Sequence, residues 1–371
     1  MRTIKVAIPV HVNGLFDYLP GVEIPSIGSR VLVPFGRRSL VGIVIDNNSQ
    51  SNLQRSKLKE IVACMDKSPI LTGKDVDCVV WASSYYHEPI GLVAATFVPS
   101  LLRQADSAGK VEVKHYALNK DASCKGLSKK QQELYKLLAN KKQAISYWDI
   151  LSSGFRDKTV SALVAANIIE PVVNTACCDL SSKILPSKVD LNLEQRAAVE
   201  NILESNNYST FLLEGITGSG KTQVYLETIA AAIAAGGQAL VLLPEIGLTP
   251  QTLRRFQDKF DLKIAVIHSR LTEIERLSAW MQAYTGEARL VIGTRSAVFT
   301  PMPDLKIIVV DEEHDLSFKQ QSGFRYSARD IAVVRAKTLD IKIILGSATP
   351  ALESYNNVDV GRYKSLQLTH R

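Results

Sequence analysis

The chain has 371 residues, 46% of them apolar and 22% charged, an ordinary globular composition that excludes a disordered or fibrous polypeptide. That length is too great for one core and implies roughly two to four domains, and no apolar run reaches the roughly 18 residues needed to span a bilayer. The net charge of +7 is lopsided: residues 1–190 hold 24 Lys and Arg against 17 Asp and Glu, whereas residues 191–371 hold 20 of each, so the first half is either a footprint for a polyanion or a soluble basic surface.

The opening MRTIKVAIPVHVNG has an apolar stretch broken by Pro9 and is too short for a signal peptide, so a cytoplasmic protein is expected. RTIKVAIPV, SRVLVPFG and SLVGIVID are Val- and Ile-rich runs separated by Gly, Pro and Asn clusters, which predicts a small β-rich domain over residues 1–108. From Asp75 to about Leu102 the pattern turns helical, with Pro89 forcing a kink or break. Residues 109–176 form a second unit. LSKKQQELYKLLANKK places Leu127, Leu134, Leu137 and Leu138 at near-helical spacing, and ISYWDILSSG and FRDKTVSALVAANIIEP follow as two further short helices. Three short helices ending in Ile168-Ile169-Glu170-Pro171 resemble a winged helix, with a generic helical unit as the alternative. Residues 177–190, Ser- and Lys-rich with a proline, read as a linker. Cys64, Cys78 and Cys124 are isolated, Cys177 and Cys178 are adjacent, and there is no C-x-x-C pair, so reduced, mostly buried thiols are expected and no zinc ligands.

From residue 191 to 371 the texture changes. TFLLEG, QALVLLPE, KIAVIHS, RLVIGT, KIIVVDEEH and KIILGSATP are strand-length apolar runs, mostly separated by stretches long enough for helices, such as TQVYLETIAAAIAAGG. Continuous apolar strands alternating with helices imply an α/β unit with a parallel sheet covered on both faces.

Two motifs carry the chemistry. Gly215-Ile216-Thr217-Gly218-Ser219-Gly220-Lys221-Thr222 fits G-x-x-x-x-G-K-[ST] between a strand-like run and a helical pattern. Gly215, Gly218, Ser219 and Gly220 would let backbone N–H groups turn toward phosphate oxygens at a helix N-terminus. Lys221 would reach the β and γ phosphates of ATP, and the Thr222 hydroxyl would bind Mg²⁺. KIIVVDEEH then delivers Asp311-Glu312-Glu313-His314 at a strand end. Asp311 would hold Mg²⁺ and Glu312 would orient and deprotonate the attacking water, with a merely charged strand end as the alternative.

Asp-Glu-x-His resembles the second motif of superfamily 2 helicases, in which His314 also belongs to the catalytic set. Five further matches follow the order of that superfamily over residues 191–349. Besides the phosphate loop, Gln195 resembles the glutamine that reads adenine. PEIGLTPQT (244–252) and GTRSAVF (293–299) sit where the superfamily touches the DNA backbone, which implicates Thr294 and Arg295. Ser347-Ala348-Thr349 looks like the motif that couples hydrolysis to DNA movement.

DLSFKQQSGFRYSARD interleaves Phe318, Phe324 and Tyr326 with Lys319 and Arg325, a mixture that suits single-stranded DNA, although Phe318 and Phe324 read equally as core anchors under a loop. The string resembles the aromatic-rich loop of the primosomal (PriA) replication-restart helicases. GLFDYLP, RVLVPFG and LKEIV resemble that family's 3′-DNA-end-binding domain. The resemblance implies a pocket for a terminal nucleotide formed by Phe16, Asp17, Gly36 and Lys59. YYHEPIG (85–91) also matches, with Tyr86 and His87 read as structural. The implied architecture is a RecA-like P-loop helicase lobe preceded by a small β-rich DNA-binding domain and a winged-helix domain.

The implied function is an ATP- and Mg²⁺-dependent 3′-to-5′ DNA helicase acting on fork and single-stranded DNA. Replication-restart proteins and single-stranded-DNA-binding protein are the implied partners, a monomer is expected, and there is no membrane role. The resemblance stops at LTHR (368–371), whereas the family continues with a second motor lobe and a cysteine-rich zinc insertion, so a shortened piece of a longer protein is expected. The absent lobe would supply a transition-state arginine, so the 371-residue polypeptide should hydrolyse ATP very slowly and unwind nothing. Turnover near about one per second with fork DNA would contradict this.

Overall fold

The computed structural model describes residues 2–107, 111, 114–119, 122–124, 126–141, 144–172, 184–186 and 190–370. The N-terminal unit is a six-stranded sheet of β1 (Arg2–Ala7), β2 (Phe16–Leu19), β3 (Arg30–Phe35), β4 (Arg38–Gln50), β5 (Lys59–Glu60) and β6 (Ala63–Cys64), in the order β5-β2-β1-β4-β3-β6. Pairing is antiparallel except between β2 and β5. The alternation of apolar residues decides its inner face, where Ile4, Val6, Tyr18, Val31, Val33 and Val44 pack together. Phe35 pairs with Arg38, so Gly36 and Arg37 form a two-residue hairpin turn, which the positive φ of Gly36 (60°) suits. Two helices follow: α1 (Gly73–Tyr86), opened by a Thr72–Asp75 capping box, and α2 (Ile90–Thr96), which Pro89 precedes as N-cap. His87, in the left-handed region, closes α1, so the expected break falls where the proline placed it.

The second unit contains β7 (His115–Leu118), α3 (Lys129–Asn140), β8 (Ile145–Ser146), α4 (Tyr147–Ser152), α5 (Asp157–Ala165) and β9 (Ile169–Val172), with sheet order β8-β7-β9. Leu134 and Leu138 are buried in its own core, beside Ile150, Val160 and Leu163. The winged-helix expectation extends into residues 173–176 and the linker expectation into 177–183 and 187–189, outside the described residues. Within the expected linker, Ile184 bridges Phe260 and Leu185 N–H donates to Lys259 O, so this part packs on the next unit instead of spanning freely.

That unit comprises α6 (Leu193–Glu204), β10 (Ser209–Gly215), α7 (Lys221–Ala234), β11 (Gln238–Leu242), α8 (Pro250–Lys259), β12 (Ile264–Ile267), α9 (Glu273–Tyr284), β13 (Leu290–Gly293), β14 (Leu305–Asp311), α10 (Ala328–Leu339), β15 (Lys342–Ser347), α11 (Leu352–Asp359) and β16 (Lys364–Leu368). Its seven strands are all parallel, in the order β12-β13-β11-β14-β15-β10-β16. Successive residues serve opposite faces: Phe211, Leu213, Val241 and Val309 pack against α6, α7 and α8, while Leu212, Leu240, Ile308 and Val310 face α9 and α10. The edge strand β16 goes beyond the sequence expectation.

Both N-terminal units pack on this lobe. Helix α1 runs antiparallel to α10. Near one end Arg335 lies 3.6 Å from Asp75 and donates to Val298 O and Thr300 O, and at the other Tyr86 Oη accepts the Ser327 N–H at 3.2 Å. Trp280 Nε1 donates to Phe97 O at 2.9 Å, and the core on this face of the sheet continues into Val76, Val79, Val93 and Phe97. The helical unit is held differently. Asp149 on α4 accepts from Lys263, from Ser278 Oγ (2.7 Å) and from Gln282 Nε2 (2.6 Å), while Lys263 also reaches Glu287 at 2.7 Å. His115 Nε2 lies 3.8 Å from Glu287. Among the described cysteines only Cys78 is buried; Cys64 and Cys124 are exposed, because the short strand and loop that carry them lie at the rim. Among the described residues no helix is long and apolar enough to cross a membrane.

Candidate functional site

The loop between β10 and α7 places Gly218 and Gly220 at φ +89° and +84°, which only glycine adopts without strain, and turns the chain into the N-terminus of α7. Gln195, Gly218, Gly220, Lys221, Thr222, Asp311 and Glu312 line one cleft of about 780 Å³. Gly215 and Ser219 lie beneath it, and the Ser219 hydroxyl is buried without a protein partner. The buried Lys221 ammonium donates to Gly215 O at 2.7 Å and lies 4.0 Å from Glu312. A cradle of backbone turns, an unpaired buried hydroxyl, an ammonium and two carboxylates at its mouth fit a magnesium–polyphosphate group. Thr222 and Asp311 both line this cleft.

Gln195 is partly committed. As the last member of a capping box its Oε1 accepts the Asn192 N–H at 3.0 Å, and its Nε2 donates to Ser219 O at 2.9 Å. It therefore ties the start of α6 to the phosphate loop. Pro186, Asp190, Leu226, Arg255, Asp258 and Lys259 also line the cleft, and none of them belongs to a recognisable local motif.

Burial first, and then the neighbouring Glu312, push Asp311 above the ordinary carboxylate range. Its partner is Tyr225 on α7, whose buried hydroxyl lies 3.0 Å from Asp311 Oδ1. Gly346 on β15 makes room for that hydroxyl: a Cβ there would lie 1.6 Å from the Tyr225 oxygen. Glu312 has φ +48°, a left-handed backbone that turns its carboxylate out of strand register and toward the cleft. Glu313, by contrast, is buried and accepts from Arg329 (3.0 Å), the Ala351 N–H (2.7 Å) and Ser354 (2.9 Å). His314 meets Ser347 Oγ at 2.7 Å and Thr349 Oγ1 at 3.4 Å, which joins the acidic motif to Ser347-Ala348-Thr349. Tyr225 escaped sequence reasoning because its partner lies on a distant element, and Arg329, which reads in the sequence as a phosphate-facing cation, instead pairs with Glu313.

The residues expected to face DNA divide between buried and exposed positions. Phe324 and Tyr326 are 9% and 8% exposed and pack with Phe299 and Tyr86, and Phe318, 2% exposed, lies in the same apolar core, so all three rings are largely buried and Phe318 and Phe324 take the core-anchor alternative. Lys319 and Arg325 are exposed. Thr294 is buried, and Arg295 donates to Ser317 O and Lys319 O at 3.0 Å each, so it braces the aromatic segment. In the N-terminal sheet, Phe16 meets Phe35 edge-on at 5.2 Å beside Gly36, and Tyr18, next to Asp17, pairs with Lys59. Gly36 and Lys59 are exposed.

A family model described as a 3′DNA-binding domain (3′BD) of PriA matches residues 5–99, and one described as a DEAD/DEAH box helicase matches residues 192–358. The replication restart protein PriA of Haemophilus influenzae is 39% identical over 382 residues, covering 100% of this chain and 52% of that protein. The Chlamydia trachomatis PriA is 34% identical over 99% of this chain and 51% of its own length, and the Bacillus subtilis PriA 30% identical over 100% and 54%. The chain belongs to the PriA family. It spans about half the length of the curated PriA relatives it matches. In PriA terms, the β-rich sheet is the 3′DNA-binding domain, and the parallel sheet is a superfamily 2 helicase lobe.

Proposed function

We propose that this span belongs to an ATP- and Mg²⁺-dependent 3′-to-5′ DNA helicase of replication restart, one that recognises stalled forks and the nascent-strand 3′ end and helps reload the replicative helicase. The observation that carries this reading is the joint placement of Lys221, Thr222, Asp311 and Glu312 around one cleft, with His314 joined to Ser347 and Thr349. In that arrangement Lys221 neutralises charge on the phosphates, and Glu312 orients and deprotonates water. His314 passes the state of the site to the segment after β15. Mg²⁺ held by Thr222 and Asp311 would neutralise further phosphate charge.

In the N-terminal unit, Phe16 offers a ring to a terminal base, Asp17 an acceptor for a 3′ hydroxyl, Lys59 a cation for a phosphate and Gly36 room for close approach. Lys319 and Arg325, with Phe318, Phe324 and Tyr326 once unstowed, would contact single-stranded DNA, and Thr294 and Arg295 its backbone. The helical unit would act as a winged helix. Restart proteins and single-stranded-DNA-binding protein are the expected partners, in a cytoplasmic monomer. The competing reading is a fork-binding platform whose nucleotide site is only a switch.

The test uses two model forks that differ only at the leading-strand end, a 3′ hydroxyl or a 3′ phosphate, with the full-length protein carrying Lys221 or Lys221→Ala. Preference for the hydroxyl in both proteins, with hydrolysis lost about a hundredfold or more in the variant, is the expected result. Equal binding to both ends removes the end-reading role, and unimpaired unwinding by the variant removes the motor.

A further inference from the structure

Tyr86 ends α1 with its ring between the N-terminal unit and the aromatic segment of the helicase lobe. It meets Phe324 edge-on at 5.8 Å, and its hydroxyl accepts the Ser327 N–H. Ser327 is a junction. On its N-terminal side, Tyr326 packs on Phe324 and Phe299, and Arg295 pins Ser317 and Lys319, just after the acidic motif. On its C-terminal side Ser327 caps α10, whose first turn carries Arg329 to Glu313. Glu313 adjoins Glu312 and also holds Ala351, just beyond Ser347-Ala348-Thr349. A side chain of the DNA-binding unit thus touches the segment that fixes both the acidic motif and the exit from β15.

The aromatic rings are buried while the cations of the same segment are exposed. Contact between those rings and a base requires them to leave this packing, so stowed and open arrangements compete. A ligand shifts such a balance only through contacts that differ between the two arrangements. Tyr86 is a contact of the stowed arrangement supplied by a different unit, one end of an antiparallel helix pair whose other end is pinned at Asp75 and Arg335.

We propose that Tyr86 is a positioning residue for ATP hydrolysis: it holds the 316–327 segment stowed against the N-terminal unit, and loosening this contact is how DNA bound by that unit acts on Glu312. This rests on the helicase reading above. It assigns Tyr86 a role in how hydrolysis depends on DNA, beyond packing two domains together.

The experiment measures ATP hydrolysis without DNA and at saturating single-stranded DNA for the full-length protein and for its Tyr86→Phe and Tyr86→Ala variants, with melting temperature and 3′-end binding recorded for each. Tyr86→Ala should raise the DNA-free rate and shrink the stimulation ratio by roughly two- to thirtyfold, with end binding retained. Tyr86→Phe keeps the ring and loses only the acceptor for Ser327, so it should restore most of the ratio. An unchanged ratio in Tyr86→Ala, or a fall of both rates by the same factor, overturns the proposal. Should the alanine variant not fold, Tyr86→Leu takes its place, and an unchanged ratio there is equally decisive. A protein with native Tyr86 that DNA does not stimulate sinks the helicase reading and this proposal together. Stimulation that survives intact in the variants sinks the role of Tyr86 alone.

Discussion

The helicase lobe receives the N-terminal sheet through buried rings and a continuous apolar core, with Trp280 donating to Phe97 O and Tyr86 meeting Phe324. It receives the helical unit through a partly buried charge cluster, Asp149 with Lys263 and Glu287, beside the buried ring of Trp148. Apolar burial is insensitive to ionic strength and holds one geometry well. A charge cluster weakens with salt and with protonation. The DNA-binding domain is therefore fixed to the motor as a mechanical part, and the helical unit is attached by a contact that solution conditions can loosen.

The largest expected effect is on the apolar side. Trp280→Ala removes a nearly fully buried ring and its hydrogen bond, and should cost about 3–5 kcal/mol, read as a lowered urea midpoint. A loss below about 1 kcal/mol would mean that the two units barely cooperate. The charge cluster should give a smaller, condition-dependent effect. Burial alone would raise Asp149, but the Lys263 ammonium and the hydrogen bonds from Ser278 and Gln282 hold it below its ordinary value. Glu287 is likewise lowered against burial, by His115 and Lys263. Carboxylates lowered in the folded state contribute stability that is complete above the ordinary carboxylate range and is lost as the pH falls through their lowered values, below about pH 4. Asp149→Asn should therefore cost about 1–3 kcal/mol at neutral pH, and thermal melts at successively lower pH should show that deficit shrinking once the pH falls below the ordinary carboxylate range. Salt at about 1 M should narrow it too, while leaving the Trp280→Ala deficit in place; a deficit from Asp149→Asn that ignores both pH and salt would show that the cluster works by packing.

Legibility in the sequence follows the range of the interactions. The phosphate loop could be read because its function lies in backbone turns that adjacent glycines dictate, and the parallel sheet because strands buried on both faces leave continuous apolar runs. Strand β2 and edge strand β16 are short and lean on partners elsewhere in the chain, so their own residues give little signal. The aromatic segment was ambiguous for a physical reason: spacing of Phe318, Phe324 and Tyr326 is the same whether the rings wait for bases or fill a core, and only Tyr86 and Phe299, contributed from other elements, decide it. Glu313 and Arg295 read as one more acid and one more DNA-facing cation, yet both spend their charge inside the protein.

The Tyr225 hydroxyl occupies the space that any side chain at position 346 would claim. The two positions are thus a single inheritance, although they lie far apart in the chain and on different elements. A lineage could enlarge residue 346 only after shortening residue 225, and it would then have to find Asp311 another donor. Descendants of this protein should change both positions or neither, and a sequence that keeps the tyrosine while filling the glycine would mark a motor that no longer needs its acidic residue held still.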